Sequence, residues 1–217
     1  MQPVKTLNLA SQQRPAAKQQ PIKALPFTRQ LGFRRQLNNR VEAYFKSTNL
    51  PRRDVPAMYG KAVLFLGGYA VVYALIVTFG PQLHPALVLA LYAIWGFVIA
   101  GIGFNIMHDA IHGSFSNHPR INRLLGLSSE LLGVSSFVWR HKHNVWHHTY
   151  TNIAGLDEDL ETQGAFRLSP HDEWKPHFRF QHLYSPLVYA LTGFSFLIRD
   201  FRVFFTGRSD PYHVYPT

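Results

Sequence analysis

The chain has 217 residues, of which 47% are hydrophobic and only 16% charged, whereas ordinary soluble domains carry roughly 25% charged residues. Lys and Arg number 22 against 12 Asp and Glu, a net charge of +10, yet Met1 to Lys61 alone holds 12 basic and 2 acidic residues. The neutral, apolar remainder argues against a nucleic-acid partner, and the absence of cysteine excludes disulfides, iron–sulfur clusters, thiolate zinc sites and a cysteine nucleophile.

Met1 to Pro26 is rich in Gln, Pro, Lys and Ala and has no apolar periodicity. It reads as a disordered basic tail, and without an apolar stretch after the basic residues it is not a secretory signal. From Thr28 to Leu50, Phe33, Leu37, Val41 and Tyr44/Phe45 recur at helical spacing opposite Arg34, Arg35, Asn38, Asn39 and Lys46. That pattern predicts an amphipathic helix with a basic face, suited to anionic lipid headgroups or to packing on its own domain.

Ala62 to Phe79 carries no formal charge over 18 residues, and after the breaker GPQLHP a second apolar run of 22 residues extends from Ala86 to Met107. A membrane-spanning helix needs about 20 apolar residues, so the pair predicts a transmembrane hairpin. Arg52, Arg53 and Lys61 precede it, Arg120, Arg123, Arg140 and Lys142 follow it, and the turn carries no Lys or Arg. That asymmetry places both ends, and the N-terminus, in the cytoplasm. A third apolar stretch, Tyr184 to Ile198, is shorter and has basic residues at both ends, which fits an interfacial helix, or a third span over 184–205.

Histidine placement decides the chemistry. The second run ends in HDAIH, with His108 and His112 four apart and therefore on one helical face. About thirty residues on, WRHKHNVWHH carries His143 and His147 at the same spacing, with His148 about 100° further round an α-helix. Ile121 to Trp139 between them is nearly all apolar or small, with Glu130 its one acid, and is expected to lie in the interface as a helix that folds the second box under the first. His84, His118, His171, His177, His182 and His213 sit outside any such spacing and read as ordinary surface or core residues, with His141 merely adjacent to the second box. A zinc peptidase would need H-E-x-x-H, whereas Asp109 stands at that glutamate position. Several histidines without thiolates suit a non-haem iron centre, the kind of oxidant needed to attack an unactivated C–H bond.

H-x-x-x-H at the end of a transmembrane helix, followed by H-x-x-x-H-H, resembles the integral-membrane fatty acid desaturase family. HDAIHGSFS and KHNVWHHTYTNIAGLDEDLE resemble its acyl-CoA and front-end (linoleoyl-type) branch, and the similarity extends from about Phe27 to the end. The resemblance implies an all-α membrane protein whose His108, His112, His143, His147 and His148 ligate a di-iron centre, with Asp109, Asp157 and Asp159 orienting those imidazoles. Trp139 and Trp146 are candidates for an acyl channel or for interfacial anchors. The implied reaction takes O2 and two electrons from a ferredoxin or cytochrome b5-type donor and leaves a cis double bond in a fatty acyl-CoA or acyl-lipid. A third histidine box and a second pair of spans belong to the family pattern, but nothing after Thr149 matches them, so the expectation is a truncated form or one completed by another chain. The alternatives are a related histidine-box membrane hydroxylase and a catalytically inactive desaturase fragment.

Overall fold

The computed structural model describes residues 31–209 apart from 154, 155, 161, 163 and 171, and the regular structure among them is helical. The tail expected over Met1 to Pro26, together with His171 and His213, lies outside the described residues. Helix α1 (Leu31–Thr48) falls within the predicted segment, and Phe33, Leu37, Val41 and Tyr44 all remain exposed along it. Arg52 beyond its end reaches back to Glu42 at 2.8 Å and lies 4.8 Å from the centre of the Phe45 ring.

Helices α2 (Pro56–Phe79) and α3 (Pro85–Ile102) form the hairpin. Each has proline in its first turn, where the missing N–H has no helical partner to lose. His84 caps α3 by accepting from Ala86 N at 3.3 Å. Both elements overrun the expected limits. Helix α2 takes in Lys61, and α3 continues through a π-helical turn, Gly103–Met107, into α4 (His108–Ile111). Among the described residues these two segments, Pro56–Gln82 and Pro85–Ile111, are long and apolar enough to cross a membrane. Only 17% and 11% of their most apolar stretches are buried, with Val63, Leu89 and Phe97 more than two-thirds exposed. Helices apolar all round and uncovered by protein need lipid as their solvent, and the chain is an all-α membrane protein.

The helices approach closely at Gly101, where a Cβ would collide with the Phe65 ring. Small residues at such crossings let backbones pack without side-chain interference. Towards the histidine end, Ala62, Ile102, Ile106, Ala110 and Phe115 form a buried cluster under the first box.

A polar clasp joins the two ends of the hairpin there. Asp54, at φ 58°, accepts from Tyr59 Oη at 2.6 Å, from Asn117 N at 2.8 Å and, by a short bond, from Ser116 Oγ. Its own N–H donates to Phe115 O at 3.0 Å. The Ser116 and Tyr59 hydroxyls and the Asn117 N–H stabilise the charged carboxylate and hold its pKa well below the usual range. A depressed carboxylate pKa contributes stability that is complete above its unfolded value, about 3.9, and is lost as pH falls through the folded value. Asp54→Ala is therefore expected to lower the thermal midpoint at pH 7, with the deficit against wild type narrowing below about pH 4. Circular dichroism in detergent checks this, and equal midpoints at pH 7 would refute the clasp.

The single interfacial helix expected over Ile121 to Trp139 is instead three short ones, α5 (Pro119–Gly126), α6 (Ser128–Leu131) and α7 (Ser136–Trp139). Two local features break it. Ser128 and Ser129 donate back to Leu125 O and Gly126 O at 2.6 and 2.9 Å, and Gly133 takes φ 72° between α6 and α7, a conformation that costs glycine nothing. Helix α7 runs through a second π-helical stretch, Arg140–His147, into α8 (His148–Tyr150). The stretch expected as one element over 184–205 is two, α9 (Gln181–Ala190) and α10 (Thr192–Thr206), parted at Leu191. Neither is long enough to cross a membrane. Phe194, Leu197, Ile198, Phe201, Phe204 and Phe205 form an exposed ribbon along α10, opposite buried Asp200 and Val203.

Candidate metal centre

The first histidine box leaves the hairpin on a π turn, in which His108 N donates to Gly103 O five residues back. Asn105 Nδ2 meanwhile donates to Gly101 O at 3.0 Å, supplying a partner for a carbonyl beside the irregular turn. The second box repeats the device, with His148 N donating to His143 O. A π turn holds one residue more than an α turn, and this changes which imidazoles meet. His148, expected about 100° away on an α-helix, instead comes back over His143, Nε2 to Nε2 at 3.3 Å. It also faces His112 of the first box, ring centres 4.8 Å apart.

Two side chains other than the imidazoles set this juxtaposition. Asn144 Nδ2 donates to Ile111 O at 3.2 Å, pairing a carbonyl at the end of α4. Asp157, whose side chain is 1% exposed, accepts from His147 Nδ1 at 3.0 and 3.1 Å, from Asn152 N at 2.8 Å and from Asp159 N at 3.0 Å. A carboxylate on Nδ1 fixes the ring and leaves Nε2 free for a metal.

His143 is the hub. Its ring lies 5.3 Å from His108, 5.2 Å from His112, 5.1 Å from His147 and 4.8 Å from His148. Two donor triads share it: His108, His112 and His143, and His143, His147 and Asp159, each with ligand atoms within 4.8 Å of one another. Asp109 approaches His108 Nδ1 at 3.3 Å and is only half-buried. Asp159 belongs to the second triad, with Oδ2 3.3 Å from His147 Nδ1 and 3.8 Å from His143 Nδ1 and with Oδ1 on Lys142 Nζ at 2.6 Å. Burial pushes the Asp159 carboxyl up, but the His143 bond and Lys142 outweigh it and hold the pKa low.

His112 Nε2 is buried without a hydrogen-bond partner. An orphaned imidazole nitrogen facing three other imidazoles is costly unless something binds it. Desolvation, followed by the neighbouring His108, His143 and His148, pushes the His112 pKa down to about 4. The ring is then neutral, with its lone pair available, at ordinary pH. This all-imidazole and carboxylate donor set, free of thiolate, fits iron. Trp139 closes one side of the cluster, stacked on His143 at 4.2 Å and edge-on to His108 and His112 at 5.7 and 6.0 Å. Trp146 packs against Tyr150 instead.

The five histidines picked out by spacing lie together in the structure, with the acids that the resemblance implied beside them, while the contacts of Asn144, Lys142 and Trp139 emerge only in three dimensions. His84 and His177 make ordinary backbone contacts, the latter to Gly164 O at 3.3 Å.

Comparison with known proteins gives one consistent answer. Residues 81–215 match the family described as fatty acid desaturase. Over 189 residues the chain is 38% identical to the sn-1 linoleoyl-lipid 6-desaturase of Synechocystis sp. (strain ATCC 27184 / PCC 6803 / Kazusa), covering 87% of this chain and 52% of that protein. It is 36% identical to the Arthrospira platensis protein of the same name, over 88% of this chain and 51% of the relative. It is 33% identical to the acyl-lipid (8-3)-desaturase of Physcomitrium patens, over 82% and 37% respectively. The chain therefore spans about half the length of the first curated relatives it matches. No solved structure matches it.

Proposed function

The chain belongs to the fatty acid desaturase family, and we propose that its histidine cluster holds the irons of a di-iron desaturase centre acting on a fatty acyl chain of a membrane lipid. The observation that carries this reading is the convergence of five imidazoles where the second apolar helix ends, four of them in two donor sets that share His143. Two non-haem irons, with O2 as co-substrate and two electrons from a separate ferredoxin or cytochrome b5-type donor, would supply the oxidising power to remove two hydrogens from an unactivated C–C pair.

The protein's own residues do the placing. His108, His112, His143, His147 and His148 lie around a common space, and Asp157 on His147 Nδ1 would fix that ring and leave Nε2 as its free nitrogen. Asp109 would do the same for His108, and Asp159 would add an oxygen donor. Trp139 and the buried cluster beneath the first box keep water from one side of the reacting atoms. The relatives named for linoleoyl-lipid and acyl-lipid substrates favour a lipid-borne chain over acyl-CoA. Lys and Arg at both ends of the hairpin, and none in its turn, favour a cytoplasmic site.

The test is iron content of the detergent-purified chain, followed by lipid profiling after incubation with O2, reductant and acyl-lipid. Iron bound per chain together with a new cis double bond is expected. A chain that binds iron and oxidises lipid only to an alcohol would replace this reading with hydroxylation. A chain that binds none would leave a family member without autonomous chemistry.

A further inference from the structure

The helix carrying the second box runs without interruption from Ser136 to Tyr150, with the π stretch inside it. Its N-terminal N–H groups are the ones a helix cannot satisfy itself, and two carboxylates take them. Asp200 Oδ2, from the middle of α10 and 65 residues away in sequence, accepts from Ser135 N at 2.6 Å. Glu130 Oε1 accepts from Ser136 N and Ser136 Oγ, both at 2.9 Å. Arg199 holds the other Asp200 oxygen at 3.0 and 3.2 Å, so the carboxylate is fixed on both sides. Alongside, Val203 of α10 and Val138 of α7 bury each other, each 4% exposed. One turn on, Lys142 lies 5.4 Å from the centre of the Phe196 ring while its ammonium bonds Asp159. Helix α10 therefore grips the box-bearing helix at its start and along its flank, and ends its reach beside the metal-facing acid.

We propose that Asp200 is a positioning residue for the second histidine box. By capping the Ser135 N–H from α10, it sets the rotation of the helix and so the convergence of His143, His147 and His148. Asp200 touches no histidine and stands apart from the donor atoms, so its effect is on geometry alone. Charge-assisted caps are about twice as strong as neutral hydrogen bonds, and a carboxylate at a helix N-terminus also meets the positive end of its dipole. Supports that orient ligands typically affect metal affinity by about 10–100-fold.

This inference rests on the metal-centre reading above. Titration of the full chain in detergent with Co2+, read by its visible ligand-field bands, separates the two. Wild type that gives no such bands sinks the metal-centre reading itself and the positioning role with it. Given binding by wild type, Asp200→Ala is expected to weaken affinity about tenfold and to change the band positions. Asp200→Asn, which can still accept from Ser135 N, is expected to keep most of the affinity and the wild-type spectrum. A merely structural Asp200 would lower the melting temperature of D200A without moving the bands. Unchanged affinity and spectrum in D200A would overturn the proposal. Should D200A fail to fold, Ser135→Pro serves in its place, because it deletes the donated N–H at a backbone angle proline adopts, φ −68°. An S135P chain with the wild-type spectrum and affinity would overturn it equally.

Discussion

Replacing His143 with alanine is expected to empty the site of metal, with affinity falling by well over about 100-fold, the upper end for loss of a mere supporting group. His143 is the one residue common to both donor triads, and its ring contacts the other four histidines at 4.8 to 5.3 Å. Removing it halves neither site but opens both. His148→Ala should be milder, because His148 belongs to neither triad. Iron per purified chain, measured for both variants beside wild type, decides the ranking. Equal losses would mean that the two triads do not share a ligand in the way the geometry places them.

Asp157 should be the most damaging position outside the imidazoles. Its carboxylate is almost wholly buried and serves His147 Nδ1, Asn152 N and Asp159 N together. Asp157→Ala is expected to lower the thermal midpoint, because three N–H groups lose their acceptor, and to cost about 10–100-fold in metal affinity. Asp157→Asn separates the two effects. An amide oxygen can still accept from one backbone N–H, although Asn152 N and Asp159 N use different carboxylate oxygens, while the negative charge that holds the His147 N–H is lost. D157N should therefore regain thermal stability more fully than iron. Parallel recovery of both, read from melting curves and iron content, would mean that the carboxylate props the 152–159 loop and does not orient His147.

Much of this was legible in the sequence because its signals are local. Hairpin helices follow from uncharged runs, and the shared faces of the histidine boxes follow from histidines four apart. Where the sequence misled, the cause is a departure from the α-helical period or a contact across distant segments. His148 was expected on another face because spacing was read at 100° per residue, and the π stretch Arg140–His147 cancels that rotation. The intervening apolar segment was expected as one helix, but Ser128, Ser129 and Gly133 divide it. Asp54 and Asp200 act across 62 to 65 residues, beyond any periodicity argument. A faint signal did exist for Asp200, the one acid in the apolar sequence 184–205. An unpaired charge there would be expensive.

The paired π turns have a consequence for how the centre tolerates change. Phe104 points away from the protein, 79% exposed, within the turn that carries the chain to His108. Any apolar side chain can take its place there at little cost. Removing the residue outright would leave the same His108 N–H facing the same Gly103 carbonyl four residues back, so the turn would give up its extra residue as an ordinary α turn while the helix beyond kept its place. His108 and His112 would stay on the common axis, and only the surplus residue would be lost. The centre thus sits beyond turns that can absorb a change of one residue in length as well as a change of side chain, with the register of its histidines preserved.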